Sequence, residues 1–325
     1  MFTKTKAWNF KGKSRARVAI TNRESLNHQL GERITERTNP ASAALDTKST
    51  REILRIMNRE DRRVAPAVRK ILAQIGRAVD LAVDALRSGG RIIYLGAGTS
   101  GRLGVLDASE CVPTFGTNQV VGVLAGAPAA LTTSVEGVED NAQQAQRDLM
   151  KIKLTRCDLL VGISASGGAP YVLGGMRYAR SKGAKVAGVS CNPAAPLKAL
   201  ADVTIIPVVG PEVVAGSSRL KAGTAQKLVL NMLSTATMVR LGRVLSGSMI
   251  NVQLSNDKLW KRAAGILQKF TGVTWTKANR VLKASGGNLP VAMLMVLKKI
   301  SQLEAARELR DAPSVAATLR EAMQK

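Results

Sequence analysis

The stretch LGAGTSGRLGVLDASE (residues 95–110) joins an apolar run to a glycine-rich turn and then to two carboxylates, Asp107 and Glu110. Glycines let the backbone turn tightly, and the first N–H groups of the helix that follows can bind a phosphate. Thr99 and Ser100 add hydroxyl donors. The pattern predicts an anion site with Gly98, Thr99 and Ser100 as its ligands.

The same turn also matches G-x-G-x-x-G, the fingerprint of dinucleotide-binding proteins, at Gly96, Gly98 and Gly101. That function requires an Asp or Glu about 20 residues further on, at the end of the second strand, to bind a ribose. The second apolar run ends instead in Leu124-Ala125-Gly126. The sequence therefore disfavours NAD and favours another phosphorylated ligand.

A second turn of the same kind, SASGGAP (164–170), follows the third apolar run and contains Ser164, Ser166 and Gly167. Serine and glycine in such turns often serve only as helix caps. Since the carboxyl ends of parallel strands meet at one edge of a sheet, however, both turns are expected to face one crevice.

Carboxylates are expected near that crevice. Glu110 is predicted to end the helix after the first turn, and Glu136, Glu139 and Asp140 cluster in VEGVED (135–140). Glu212 stands in GPEVVAGSSRLKAG (210–223), a stretch that also contains Arg219 and Lys221.

Composition narrows the chemistry further. The one histidine, His28, lies near the N-terminus, so the predicted folded part has no imidazole for a zinc site or a Ser-His pair. General acid–base catalysis must then be carried out by carboxylates, Lys or Tyr. Cys111, Cys157 and Cys191 form no C-x-x-C pair, which indicates reduced thiols in a cytoplasmic protein.

The chain is strongly basic, with 48 Lys and Arg against 23 Asp and Glu, a net charge of +25. Residues 1–31 are interpreted as a basic, disordered tail without the apolar segment of a secretory signal. No apolar run reaches the roughly 20 residues that cross a bilayer. Because aromatic stacking and a groove-reading helix are not visible, nucleic acid is expected to bind only weakly, through the tail.

Short apolar runs at 91–95, 120–125, 158–164, 185–190 and 203–208 alternate with helical patterns. This alternation predicts an α/β fold, a doubly wound five-stranded parallel sheet with helices on both faces. Helices are expected from Pro66 to the glycines at 89–90 and over 218–245, and a small all-helical domain follows. The predicted parts are the tail (1–31), a loop and helix arm (32–65), the sheet domain (66–250) and the helical domain (251–325).

Longer motifs carry a resemblance to a known family. TERTNPAS (35–42), LGAGTSGRLGVLDASECVPTFG, VEGVED, VGISASGGAPYV, GVSCNP and VVGPEVVAGSSRLKAGTAQKLVLNMLST resemble, in order and spacing, the N-acetylmuramic acid 6-phosphate etherases. The resemblance runs from about residue 32 into the C-terminal helices. It implies a sugar isomerase (SIS) sheet domain and a cytoplasmic homodimer that needs no cofactor and no metal. The implied activity, part of peptidoglycan recycling, cleaves the D-lactyl ether of the sugar 6-phosphate to N-acetylglucosamine 6-phosphate and D-lactate.

The resemblance places the family's two functional glutamates on Glu110 and Glu139, which we assign as the acid and the base of an elimination followed by hydration. The residues expected to bind substrate and phosphate are Gly98, Thr99, Ser100, Ser164, Ser166, Gly167, Glu212, Ser217, Ser218 and Lys221. The sequence departs from the family at Gly168-Ala169, where Arg-Thr is usual, and at AGAPAA (125–130), where Gly-Gly-Glu is usual. Two other functions stay open: a non-catalytic sugar-phosphate sensor of the glucokinase-regulatory-protein type, and a nucleic-acid-associated protein.

Overall fold

The structure, a computed structural model, describes residues 34–254 and 256–324. The predicted basic tail, residues 1–31, lies outside these ranges. The described chain begins with an arm of turns and short 3-10 helices at Pro40–Ser42 and Leu45–Thr47. Helix α1 (Thr50–Asp61) follows, and a reciprocal pair of hydrogen bonds between Ser49 and Glu52 caps its start.

The centre of the molecule is a parallel sheet of five strands. They are β1 (Ile92–Gly96), β2 (Val120–Leu124), β3 (Leu159–Ile163), β4 (Lys185–Val189) and β5 (Val203–Ile205). Their order is β2-β1-β3-β4-β5, and every neighbouring pair is parallel. All residues of β1 and β3 are buried, as expected of a sheet with both faces covered. The predicted doubly wound sheet is confirmed.

Helices cover both faces of this sheet. They are α2 (Val64–Arg69), α3 (Leu72–Arg87), α4 (Gly98–Phe115), α5 (Ala142–Lys151), α6 (Pro170–Ser181) and α7 (Lys221–Arg240). Helices α3, α4 and α7 share one apolar cluster on one face, and α5 and α6 share another on the opposite face. The helix that follows β1 therefore lies on one face of the sheet, and the helix that follows β3 lies on the other. The chain adds strands in opposite directions on either side of the β1–β3 pair. Ligands of such folds bind outside the carboxyl ends of these strands.

Two helix predictions are corrected. The helix expected from Pro66 is two helices, α2 and α3, because Ile71 leaves the helical conformation (φ −119°, ψ 22°) while the apolar periodicity continues across the break. Pro66 is the third residue of α2, where a missing N–H costs no helical bond. The helix expected over 218–245 covers only Lys221–Arg240. A hairpin of β6 (Val244–Leu245) and β7 (Ser248–Met249) follows it, turning at Gly247 with φ +75°.

The C-terminal part is helical, as predicted. Its helices are α8 (Asp257–Thr271), α9 (Trp275–Ala284), α10 (Leu289–Lys298), α11 (Gln302–Asp311) and α12 (Val315–Gln324). They enclose an apolar cluster of their own, which runs from Leu245 to Ala322. Arg243 attaches this part to the end of α4, since its Nη1 donates to the Phe115 carbonyl at 2.9 Å. Within the described ranges, no helix combines the length and the apolar character that a bilayer crossing requires.

Candidate active site

A polar cleft of about 440 Å³ lies beyond the carboxyl ends of β1 and β3, where the strand order reverses. Four segments of the sheet domain and the N-terminal arm form its walls. The lining residues are Thr35, Glu36, Ala97–Ser100, Glu139, Asp140, Ile163–Ser166, Gly168–Pro170, Gly216 and Ser218. Lys and Arg are absent from this described lining, so an anion bound here must be held by hydroxyl and backbone N–H groups.

The first glycine turn brings the start of α4 to the cleft. Gly96 and Gly101 pack backbone against backbone, because a Cβ on Gly96 would stand 2.6 Å from the Gly101 nitrogen. Gly98, Thr99 and Ser100 then line the cleft with the first N–H groups of α4, which have no partner inside the helix. The Ser100 hydroxyl donates to Gln226 Oε1 at 3.0 Å and so ties this turn to α7.

The second turn places the start of α6 at the same cleft. Ser164 Oγ accepts from the Gly167 N–H at 3.1 Å, and Ser166 Oγ accepts from the Gly168 N–H at 3.3 Å. The two hydroxyl oxygens lie 3.4 Å apart. These bonds shape the loop, and because one hydroxyl donates to the other, they leave the hydrogen of the second hydroxyl available. Gly167 itself, with φ +74°, turns away from the cleft against Ala195.

The remaining wall is acidic. Glu139 and Asp140 belong to a one-turn 3-10 helix at Val138–Asp140, which follows Gly137 with φ +72°. Glu36 comes from the arm, and its neighbour Thr35 is buried. Thr35 Oγ1 lies 3.4 Å from Glu36 Oε1 and donates to it. The cleft thus combines hydroxyl and N–H donors with three carboxylates. Among residues 34–254 and 256–324, no group of three or more His, Cys, Asp or Glu is arranged to hold a metal ion.

Glu110 does not reach this cleft within one chain. Helix α4 does not end near Glu110, as the sequence indicated, but continues to Phe115. Glu110 is therefore twelve residues from Gly98, or about 18 Å along the helix axis. Its side chain is exposed. The expectation that Glu110 and the 136–140 cluster approach one crevice is not met by a single chain, because twelve residues of helix carry Glu110 away from the turn at Gly98.

Glu212 and Lys221, which are expected to contact substrate, are not among the residues that line the cleft, and that contact stays a prediction. Both side chains are fully buried. Lys221 Nζ donates to Glu60 Oε2 at 2.7 Å, and Glu212 accepts from the N–H groups of Lys221 and Ala222 at 3.0 and 2.8 Å. Burial raises the pKa of Glu212 above its ordinary value. Of the two serines of this segment, Ser218 lines the cleft, whereas Ser217 does not.

Glu60 is the residue of this network that the sequence did not reveal. Burial favours its neutral form, but hydrogen bonds from Lys221 and Asn39 outweigh burial and hold the pKa of Glu60 below its ordinary value. Asn39 Nδ2 donates to Glu60 Oε2 at 2.9 Å and to the Pro211 carbonyl at 3.0 Å. The network therefore joins the arm to the loop before α7, directly behind the cleft wall.

The cysteines take no part in the cleft. Cys111, Cys157 and Cys191 are free thiols. Burial, together with the Asp107 carboxylate, raises the pKa of Cys111 to about 12, and burial beside Glu212 raises that of Cys191 to about 12. Since the thiolate is the nucleophilic form, neither thiol is activated at neutral pH.

Comparison with known families agrees with this architecture. Residues 130–236 match the SIS domain. Residues 74–180 match the N-terminal SIS domain of glucokinase regulatory protein, and residues 246–286 match the C-terminal lid domain of the same protein. A phosphoheptose isomerase from Neisseria gonorrhoeae is 18% identical, with a TM-score of 0.46 over 58% of this chain and 98% of that chain. The sheet, its helical layers and the SIS match define a protein of the SIS class.

Curated relatives are far closer in sequence. The N-acetylmuramic acid 6-phosphate etherase of Yersinia pestis (strain Pestoides F) is 51% identical over 283 residues, 86% of this chain and 96% of that protein. The protein of the same name from Yersinia pseudotuberculosis serotype O:1b (strain IP 31758) has the same identity and coverage. The chain belongs to the N-acetylmuramic acid 6-phosphate etherase family.

Proposed function

We propose that the protein cleaves the D-lactyl ether of N-acetylmuramic acid 6-phosphate to N-acetylglucosamine 6-phosphate and D-lactate, as a cytoplasmic enzyme of peptidoglycan amino-sugar recycling. The observation that carries this proposal is the 51% identity to a named etherase over 96% of that protein's length. The cleft supports it, because its hydroxyl and N–H donors and Glu139 suit a phosphorylated substrate and acid–base chemistry.

The 6-phosphate is proposed to bind where the starts of α4 and α6 meet. Two helix N-termini bring positive dipole ends to the cleft, and the start of α4 adds N–H groups without a partner inside the helix, which suits a phosphate without any cationic side chain. Thr99, Ser100, Ser164 and Ser166 supply hydroxyls to the same cleft. Gly168 and Ala169, which depart from the family pattern, line the cleft and leave it without an arginine.

The proposed chemistry is an elimination followed by hydration. In the open-chain sugar, the aldehyde at C1 acidifies the C2 proton, and Glu139 takes that proton. The C3–O bond breaks, Glu110 protonates the departing lactate oxygen, and a C2=C3 double bond forms. Water then adds its oxygen to C3, and a proton returns to C2. Both carboxyl groups recover their starting states over the cycle, and no cofactor or metal is required.

Because Glu110 lies about 18 Å along α4 from the cleft of its own chain, we propose that Glu110 of a partner subunit completes each site. The protein then acts as a homodimer. In a two-fold symmetric dimer, the same exchange occurs at both sites.

The surface proposed for this dimer is an apolar groove of about 890 Å³ between α3 and α7. Leu72, Met232 and Val239 line it, with 48%, 37% and 48% of their surface exposed. Asn231, also in the groove, donates to Asp107 at 2.7 Å. Glu110 follows Asp107 by three residues on α4, and residues with this spacing are neighbours on a helix, so the proposed dimer has Glu110 at the border of the groove. A second copy packed in the groove therefore meets the region of Glu110.

A second candidate function is a non-catalytic regulator that only binds a sugar phosphate. The matches of residues 74–180 and 246–286 to glucokinase regulatory protein domains favour it. Glu139 in the cleft favours the enzyme, since binding alone requires no acid–base group. Nucleic acid is proposed to bind only weakly, through the basic residues 1–31.

Incubation of the purified protein with N-acetylmuramic acid 6-phosphate, with D-lactate measured enzymatically, distinguishes the two candidates. The enzyme releases D-lactate in proportion to time and protein, and Glu139→Gln lowers the rate about 10²–10⁴-fold. Glu136→Gln is the matched control, because Glu136 is exposed, three residues upstream and outside the cleft lining. Binding of the sugar phosphate without any lactate release would establish the regulator instead.

A further inference from the structure

The proposed reaction contains a step to which Glu139 and Glu110 contribute nothing. A 2-acetamido sugar 6-phosphate exists mainly as a closed ring, in which C1 is a hemiacetal carbon and does not acidify the C2 proton. The ring must open before Glu139 can act. Opening requires a group that takes the proton of the C1 hydroxyl and a group that protonates the ring oxygen.

Glu36 is a half-buried carboxylate in the cleft wall with no role assigned so far. Thr35 Oγ1 donates to Oε1 of Glu36 at 3.4 Å. Oε2 lies against Gly216, where an added Cβ would stand only 2.9 Å from it. Gly216 has φ +76°, a conformation that residues with a side chain rarely adopt, and the Glu36 carboxylate occupies the space that a side chain would need. The carboxylate is therefore positioned from both sides.

The support behind Glu36 is rigid. The Gly216 N–H donates to the Thr35 carbonyl at 3.0 Å, which joins the arm to the loop before α7. Asn39, three residues after Glu36, donates hydrogen bonds to the Glu60 carboxylate and to the Pro211 carbonyl. Glu60 also pairs with the buried Lys221. Acid–base groups are effective when packing and hydrogen bonds hold them in place.

The other carboxylate without a role, Asp140, lacks this placement. It is exposed and adjacent to Glu139 on the same short helix. It also lines a shallow outer pocket with Gly137 and Asn141. Glu36, by contrast, comes to the cleft from the N-terminal arm and is half-buried.

We propose that Glu36 opens the sugar ring, which gives the protein a second activity, the interconversion of the anomers of 2-acetamido sugar 6-phosphates. The substrate class rests on the proposed function. The Glu36 carboxylate takes the proton of the C1 hydroxyl, the C1=O bond forms, and the C1–O5 bond breaks. The same carboxyl group returns its proton to O5, so the step neither gains nor loses a proton. Reclosure on the other face of C1 gives the other anomer.

Anomer exchange of N-acetylglucosamine 6-phosphate, followed by NMR magnetisation transfer, tests the proposal without any ether cleavage. The wild-type protein accelerates exchange above the buffer rate. Glu36→Gln lowers that acceleration about 10²-fold or more. The control Glu136→Gln, which is exposed and outside the cleft lining, retains it. Gly216→Ala keeps the Glu36 carboxylate but displaces it, and it also lowers the acceleration.

The outcomes separate this proposal from the proposed function. Wild-type exchange at the buffer rate, or exchange in both Glu36→Gln and Gly216→Ala equal to that of the wild type, overturns the role of Glu36 whether or not lactate is released. Glu36-dependent exchange in a protein that releases no lactate supports the role of Glu36 and rejects the etherase. Circular dichroism establishes that each variant is folded, and Glu36→Asp, which retains a carboxylate, recovers part of the exchange.

Discussion

The hydroxyl groups at the cleft use their oxygen and their hydrogen for different purposes. The oxygens of Ser164 and Ser166 accept backbone N–H groups and shape the loop. The Ser100 hydrogen is already donated to Gln226. Ser166 can therefore turn its hydroxyl hydrogen to a ligand by giving up at most one weak bond, the one to the Ser164 oxygen at 3.4 Å.

Ser166→Ala is expected to weaken the binding of N-acetylglucosamine 6-phosphate by about 1.5–3 kcal/mol, the value of one hydrogen bond to a charged group. Isothermal titration calorimetry measures the change. Ser109→Ala is the matched control, because Ser109 is exposed on α4 and its hydroxyl donates to the Leu106 carbonyl. Equal affinity of Ser166→Ala and the wild type would place the phosphate elsewhere.

Some of the predicted site residues line the cleft and others do not, for a physical reason. Glycine turns next to strand ends are local features, so Gly98, Ser100, Ser164 and Ser166 were recognisable and do line the cleft. The burial of Lys221 depends on Glu60, which is 161 residues away in the chain. No local pattern reveals such a partner. Glu36 was within the motif TERTNPAS, but only the fold shows that this motif forms a cleft wall.

At the scale of elements, the buried network of Asn39, Glu60, Glu212 and Lys221 fastens three separate segments together. The arm, the end of α1 and the start of α7 meet in it. A buried charge that loses its partner is costly, because the remaining charge is neither solvated nor paired. The stability of the cleft wall therefore depends on both members of the ion pair.

Lys221→Met is expected to lower the free energy of unfolding by about 3–5 kcal/mol, because it leaves the Glu60 carboxylate without its cation. Urea unfolding followed by circular dichroism measures this. Lys151→Met is the control: it removes an ion pair with Asp148 whose lysine is 72% exposed, and we expect a change of at most about 1 kcal/mol. Adding Glu60→Gln to Lys221→Met should recover stability. A change within about 1 kcal/mol for Lys221→Met alone would contradict the role of the network.

Low pH is expected to weaken the ion pair between Glu60 and Lys221. The pKa of Glu60 in the folded protein is below its ordinary value of 4.5. The stabilisation it contributes is thus complete above pH 4.5 and is lost as the pH falls through the lowered folded value. The difference in unfolding free energy between the wild type and Glu60→Gln should shrink below pH 4.5. Comparing these two proteins cancels the opposite contribution of Glu212, whose pKa is raised. A difference that stays constant into the acid range would exclude this linkage.

Most elements were predictable because their patterns are local. Each of the five strands lies within or at most one residue from its predicted apolar run, and all are parallel. The errors fall where a local pattern continues across a change of direction. Apolar periodicity runs through the break at Ile71, and it also runs past Arg240 into the hairpin of β6 and β7. Glycine positions mark such turns only after the fold is known.

At the scale of the molecule, the proposed dimer divides each active site between two chains. Glu139 lines the cleft of its own chain, whereas Glu110 is on the far part of α4, three residues after Asp107, which accepts a hydrogen bond from the groove residue Asn231. This division can be tested by forming mixed dimers of a Glu110 variant and a Glu139 variant, because each variant lacks a different one of the two glutamates.

Glu110→Gln and Glu139→Gln, each inactive alone, should regain activity when they are unfolded, mixed one to one and refolded together. Random pairing makes half of the dimers mixed, and each mixed dimer has one intact site, so about a quarter of the wild-type rate is expected. Each variant refolded alone is the control. A mixture as inactive as its components would mean that both glutamates act within one chain or that Glu110 has no role.

If the protein cleaves the lactyl ether by removing the C2 proton, a proton from the solvent replaces it, so the isotope content of the sugar product reports directly on the mechanism. N-acetylmuramic acid 6-phosphate is converted in D₂O, and the N-acetylglucosamine 6-phosphate formed is examined by NMR and mass spectrometry. Elimination and hydration predict one deuterium at C2 and, in ¹⁸O-water, the label at C3 of the sugar with none in the lactate. Lactate release with hydrogen retained at C2 would contradict the account.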